Sequence, residues 1–245
     1  MNRAPQLLVA VTLGLTALAT QAAAGTVAVD AAANIYAAGD ADTSAFTFGG
    51  VLPVAIDVLG STQVLFSSVT AGPPVTGSPT GGATCIFDGL ASSGDGNTCV
   101  SATSNIAAAN GYSSFYLEGR TMPLVGLFVG DTKGATPTGL TSNFDTENAK
   151  LSFTPELQQV FLIGDGKSDG GVMQTFAVPT GARTLYLGFA DASGFWGQPG
   201  FYWDNYGGLS VSYTTSAVPE PTAAVLALSG MLALMGARRA RSGRA

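Results

Sequence analysis

Residues 174–188, QTFAVPTGARTLYLG, set two short alternating runs on either side of Pro179-Thr180-Gly181. A period of two marks strands; it sends Phe176 and Val178 to one face, and Leu185 and Leu187 likewise share a face. The Pro-Thr-Gly step closes a tight turn, so the segment reads as a β-hairpin. The same signature, short apolar runs cut by Gly or Pro, recurs at 46–48, 53–58, 63–69, 114–117, 124–129, 158–163, 173–178, 183–189 and 209–213. Helical periodicity is scarce. An all-β chain is expected, folded as an antiparallel β-sandwich of jelly-roll type. Three stretches, 71–82, 101–111 and 131–141, carry no periodic signal and read as loops.

Both ends of the chain concern transport. Asn2-Arg3 gives a positive start, Leu7 to Ala19 an apolar run and Ala22-Ala23-Ala24 a small-residue cleavage site, which together read as a secretory signal peptide. An N-terminal anchor fits less well, because the run is short and ends in small residues. The mature β domain is expected over 25–213, a linker over 214–217 and a separate segment over 218–245. In that last segment Pro219-Glu220-Pro221 precedes the apolar run Thr222 to Ala237, and Arg238, Arg239, Arg241 and Arg244 follow. As a helix rising about 1.5 Å per residue the run covers roughly 24 Å, a little short of a hydrocarbon core of about 30 Å. The arginines would stop it on the cytoplasmic side.

This tail resembles the PEP-CTERM sorting domain, with Pro219-Glu220-Pro221 as its motif. The resemblance implies recognition by an exosortase, a membrane cysteine protease, after export through the secretion machinery and signal peptidase. It also implies a cell-surface or extracellular-matrix destination, since exosortase systems accompany exopolysaccharide production. An uncut tail anchor is the plainer alternative.

Composition narrows the chemistry. Of the 16 acidic residues only Glu220 lies outside 25–217, whereas only five of the ten basic residues lie inside it: Arg120, Lys133, Lys150, Lys167 and Arg183. A nucleic-acid partner is excluded, because phosphate neutralisation needs clustered Lys and Arg. The chain has no histidine. That removes Ser-His and Cys-His dyads and histidine zinc sites, and no Gly-x-Ser-x-Gly elbow is present. No pair of carboxylates is marked out for glycoside hydrolysis, so an enzyme is not expected. Cys85 and Cys99 bracket a loop of about 15 residues. In an oxidising compartment they are expected to pair, stabilising the fold by roughly 3 kcal/mol.

The most informative stretch for function is 185–213, LYLGFADASGFWGQPGFYWDNYGGLSVSY. A strand ends at Asp191, a loop rich in Gly and aromatics follows, and Asp204-Asn205 enter the next strand. Calcium takes six to eight oxygen ligands from carboxylates, side-chain amides and carbonyls, and Asp191, Asp204 and Asn205 are the candidate donors. Asp and Asn at strand ends are also ordinary turn formers. Trp196, Tyr202 and Trp203 are candidates for stacking on a sugar ring, or for packing. By contrast, 165–170, DGKSDG, fails as an EF-hand loop. Its third position is Lys167 and its twelfth is Phe176, where a bidentate Glu is required, so it reads as a turn.

With the turn before it, this stretch is similar to the C-terminal hairpin of the galactose-binding-like sandwich in bacterial lectins of the PA-IL type. In that family an Asp ending one strand and an Asp/Asn-Asn pair opening the next hold a calcium ion that coordinates galactose hydroxyls. The matching positions are Asp191, Asp204 and Asn205, with Gly194 and Gly207 at the loop glycines. The loop here is longer, and the histidine that helps the lectins grip sugar is missing. The resemblance therefore implies calcium binding more directly than galactose specificity. Two functions are expected from these observations. One is a calcium-dependent carbohydrate-binding surface protein, with exopolysaccharide as ligand. The other is a structural matrix or adhesion protein with the same fold.

Overall fold

The computed structural model describes residues 23–72, 90–91, 93–98 and 103–216, which fall within one compact unit spanning 21–217. Residues 1–22 of the expected signal peptide, the Cys85–Cys99 disulfide, the Pro219-Glu220-Pro221 motif, the apolar helix and the arginines Arg238, Arg239, Arg241 and Arg244 lie outside the described residues, whereas Ala23 and Ala24 of the expected cleavage site lie against β-sheet residues Thr215 and Thr214. Among the described residues no helix is long and apolar enough to cross a membrane.

The chain is all-β. Its strands are β1 (Ala24–Asp30), β2 (Val54–Asp57), β3 (Gln63–Ala71), β4 (Leu90–Ala91), β5 (Thr103–Ile106), β6 (Phe115–Glu118), β7 (Val125–Val129), β8 (Leu140–Asn143), β9 (Ser152–Phe153), β10 (Val160–Leu162), β11 (Thr175–Ala177), β12 (Thr184–Gly188), β13 (Trp196–Gly197) and β14 (Tyr206–Ser216). Among the described residues one short α-helix, α1 (Phe144–Asn148), forms, capped by Asn143, whose side-chain oxygen accepts from the Thr146 amide at 2.8 Å.

Among the described residues these strands form three sheets. The first runs β1-β14-β3-β11-β9 with β4 added beside β14, the second β10-β7-β12-β2, and the third β13-β5-β6-β8. Most neighbours are antiparallel; β9 with β11, β4 with β14, β5 with β13 and β6 with β8 are parallel.

Residues 174–188 are not a hairpin. Their two runs are strands with the expected inward residues, yet β11 pairs with β3 in the first sheet and β12 pairs with β7 and β2 in the second. The turn itself forms, with the Ala182 amide donating to the Pro179 carbonyl at 3.0 Å and Gly181 at φ 88°. It is an arch that carries the chain from one sheet to another. Alternation fixes which side chains point inward but not which strand lies alongside, and the arch aims Phe176 and Leu185 into one core from two sheets.

That core is aromatic. Phe176 stacks on Phe153 at 4.8 Å, meets Phe66 edge-on at 5.3 Å and contacts Phe161 at 5.8 Å, and Phe161 stacks on Phe128 at 5.3 Å. Val29, Val64, Leu209 and Val211 from the first sheet and Ile56, Leu185 and Leu187 from the second close around it. The second sheet is buried on both faces. Val125, Leu127, Val160 and Leu162 point the other way, into a second cluster with Ile106, Phe115 and Leu117 of the third sheet. This double burial explains why 124–129 and 158–163 read as near-continuous apolar runs.

Several sequence expectations change here. The run 46–48 is a turn, not a strand, with Phe48 at φ 49°. The supposed loop 101–111 contains β5, whose Ser104 and Ile106 face inward against β6. The supposed linker begins too early: Thr214 to Ser216 continue β14, and Thr215 is buried with its amide donating to Ala23 at 2.7 Å. The turn reading of 165–170 agrees with the Lys167 amide bonded to Asp165 Oδ1 at 2.8 Å.

Candidate metal centre and its aromatic rim

Strand β12 ends one step before Phe189, whose amide donates to the Ala33 carbonyl at 2.8 Å and whose carbonyl accepts from Ile35 at 3.2 Å. Asp191 follows. The chain then loops out through Gly194 and Phe195, both left-handed at φ 58° and 62°, forms β13, and returns so that the Gly200 amide donates to the Asp191 carbonyl at 3.1 Å. A 3-10 turn over Tyr202–Asp204 delivers Asn205 at the start of β14. The loop closes on itself, which places residues 191 and 204–205 together although the chain between them is long.

Asp191 is 2% exposed. Its Oδ1 accepts from the Ala192 amide at 2.8 Å, and its own amide donates to the Tyr202 hydroxyl at 3.2 Å. Burial pushes its carboxyl up to about 8, and the charge of Asp204 adds to the rise; the Asn205 side chain and the Ala192 amide pull the other way. Asn205 is 3% exposed and donates through Nδ2 to the Ala31 carbonyl at 3.1 Å, while its Oδ1 is buried with no hydrogen-bond partner. Asp204 is half-buried.

The structure thus brings together the three candidate ligands, and the electrostatics of the site are unusual. A carboxyl is held out of water, a second carboxylate raises its cost of ionising, and an amide oxygen is left unsatisfied. A hard cation fits this set, since every donor is an oxygen and the cation would satisfy the orphan amide and neutralise the carboxylates. Backbone carbonyls and water would have to complete six or more ligands. Among the described residues no cluster of three or more His, Cys, Asp or Glu that could hold a metal gathers, so the two carboxylates and one amide do not by themselves make a complete site.

The aromatic candidates divide. Tyr202 is fully buried: its hydroxyl donates to the Phe189 carbonyl at 2.9 Å and accepts from Asp191, so its ring is core and not a stacking surface. Trp203 is 64% exposed and Trp196 56% exposed, the latter on β13 against β5. Phe48 was not a candidate from the sequence. It is 57% exposed and in ring contact with Trp203 at 5.8 Å and with Phe201 at 5.6 Å. The FTF alternation around it imitates a strand, and only the following Gly49-Gly50 hints at a bend.

Gly50 shows how tightly this region is built. It sits at φ 70°, and a Cβ there would run into the Ala32 carbonyl oxygen and stand 2.6 Å from Tyr202 Cβ. Gly50→Ala is therefore expected to lower stability by roughly 1–3 kcal/mol, read as a reduced urea midpoint at unchanged slope.

No family model, curated protein or solved structure matches this chain.

Proposed function

We propose that this is an exported, exosortase-sorted cell-surface or extracellular-matrix protein whose β domain binds carbohydrate with the help of calcium. The observation that carries the reading is the buried Asp191 carboxyl beside an unsatisfied Asn205 oxygen and a second carboxylate at Asp204. The signal-like N-terminus and the PEP-CTERM-like tail support export and sorting, with exopolysaccharide as the ligand class. For the fold in finer detail we propose a galactose-binding-like sandwich formed by the first two sheets around the aromatic core, with the third sheet as an addition.

A second reading is favoured by one observation. Asp191 and Asn205 are almost completely covered, so an ion between them would do more for the fold than for a sugar. A matrix or adhesion protein with a stabilising calcium fits that burial.

The test is thermal unfolding of the purified protein in millimolar calcium and in excess chelator. At about 100 times its dissociation constant the ion stabilises by roughly 2.7 kcal/mol, or on the order of 5–10 °C in a domain of this size. Asp204→Ala is expected to remove the shift. An unchanged melting temperature in the wild type would rule out the metal and with it the calcium-dependent mechanism.

A further inference from the structure

The rings of Phe48, Phe201 and Trp203 form one cluster, with Phe48 and Trp203 exposed and Phe201 half-buried beside them. Phe48 is tilted 62° to Phe201 and 57° to Trp203, so the three rings enclose a shallow corner rather than a flat plate. Leaving such rings in water is unfavourable, and contiguous exposed apolar surface marks interaction sites.

The backbone beneath them is strained to keep them there. Among the described residues six non-glycine residues have positive φ, and Phe48 at 49° and Phe201 at 69° are two of them. Bulky side chains rarely adopt this conformation, and it persists only when neighbours enforce it. Two hydrogen bonds do so: the Phe201 amide donates to the Thr47 carbonyl at 2.8 Å and the Tyr202 amide to the Phe48 carbonyl at 2.9 Å. Tyr202, anchored in the core by its hydroxyl, holds the turn between half-buried Phe201 and exposed Trp203.

The position of the cluster is the second argument. It immediately precedes β14, an eleven-residue strand spanning roughly 35 Å. In the register of β1 with β14, Asp30 lies beside Gly208 near the cluster, and Ala24 lies beside Thr214 at the far end. The chain therefore enters this unit and leaves it at one end, and the aromatic corner sits at the other.

Charge selects that ligand. None of the domain's five basic residues lies in the segments 42–52 and 191–206 that build this end, which carry Asp42, Asp191 and Asp204 instead. Nucleic acid, anionic lipid headgroups and uronic-acid polymers are disfavoured. The apolar face of a neutral pyranose suits exposed rings, and the neighbouring exposed Thr47 offers an oxygen to its hydroxyls.

We propose that Phe48, Phe201 and Trp203 are the glycan-binding face, taking a neutral polysaccharide by its ring faces, and that an ion at Asp191 and Asn205 sets the loop without touching the sugar. This rests on the carbohydrate-binding reading above and gives it a place and a substrate class.

The experiment is affinity electrophoresis of the full-length protein through gels containing galactomannan, β-glucan or arabinoxylan, with polygalacturonate as the charged counterpart. At least one neutral polymer is expected to retard the wild type and polygalacturonate is not. Trp203→Ala and Phe48→Ala should each weaken retardation at least tenfold while keeping the calcium-dependent melting shift, which shows that they fold. Trp203→Phe should restore part of it. Trp196 and Trp203 are the chain's two tryptophans, so the wild type should change its fluorescence with the bound polymer and Trp203→Ala should not. Retardation that survives both ring variants but disappears in Asp204→Ala would overturn the proposal and leave sugar binding at the ion. No retardation by any neutral polymer, or binding to phosphatidylcholine vesicles instead, would overturn it together with the carbohydrate reading.

Discussion

Phe176→Ala is expected to lower the free energy of unfolding by about 3–5 kcal/mol. Phe176 has no exposed surface and touches Phe153, Phe66 and Phe161, which come from three other strands in two sheets. Removing the ring gives up its transfer free energy and leaves a cavity that these neighbours cannot all collapse into, because Phe153 and Phe66 are fixed by ladders on one side and Phe161 by a ladder on the other. Marginal stabilities of about 5–15 kcal/mol make this a large fraction of the total. Phe176→Leu keeps most of the volume and is expected to cost less than half as much. Urea unfolding followed by circular dichroism measures both. Trp203→Ala, at an exposed position, serves as the contrast and should stay within about 0.5 kcal/mol of the wild type. A loss below about 1 kcal/mol for Phe176→Ala would mean that the two sheets do not share this core.

The size of that effect follows from a feature the sequence shows only in part. Alternation in 174–188 identifies Phe176, Leu185 and Leu187 as inward residues, and all three are buried. The partner strands are set by long-range pairing, which local pattern does not encode, so a hairpin and an arch look alike. The third sheet is harder still to read. Its β5 is Thr-Ser-Asn-Ile, and a buried Ser104 gives no apolar signal until its hydroxyl is seen donating to the Arg120 carbonyl at 3.3 Å. At the candidate site, Asp191, Asp204 and Asn205 stand out in sequence because they end one strand and open the next across a loop rich in Gly and aromatics. What holds Asn205 does not stand out, since it is the backbone oxygen of Ala31 within an alanine run. Phe48 was hidden for a related reason. Its outward direction depends on a left-handed backbone imposed by residues more than 150 positions away.

In the absence of calcium, stability is expected to fall as pH rises from about 4 to about 8. The Asp191 carboxyl is pushed up to about 8 in the folded chain and reverts to its ordinary 3.8 when the chain unfolds. Below 3.8 both states hold the proton and pH has no effect through this group. Between 3.8 and about 8 the folded state keeps the proton and the unfolded state has lost it, so unfolding releases a proton and each pH unit lowers stability by about 1.4 kcal/mol. Above 8 the dependence ends. The accumulated loss is on the order of 6 kcal/mol. In the protonated state the carboxyl has a natural acceptor in the unsatisfied Asn205 Oδ1, so proton and metal ion are alternative ways of satisfying the same oxygens. Calcium binding at pH 7 should therefore release close to one proton, measurable by titration calorimetry in buffers of different ionisation enthalpy, and its affinity should rise up to tenfold per pH unit below 8. Asp191→Asn isolates the term. Its amide can donate to Asn205 Oδ1 at every pH, so in chelator the variant should be more stable than the wild type at pH 8 and about equal to it at pH 4. It should also lose the calcium response. Parallel pH profiles for wild type and variant would show that Asp191 is ionised throughout, and a calcium site would then have to form without displacing a proton.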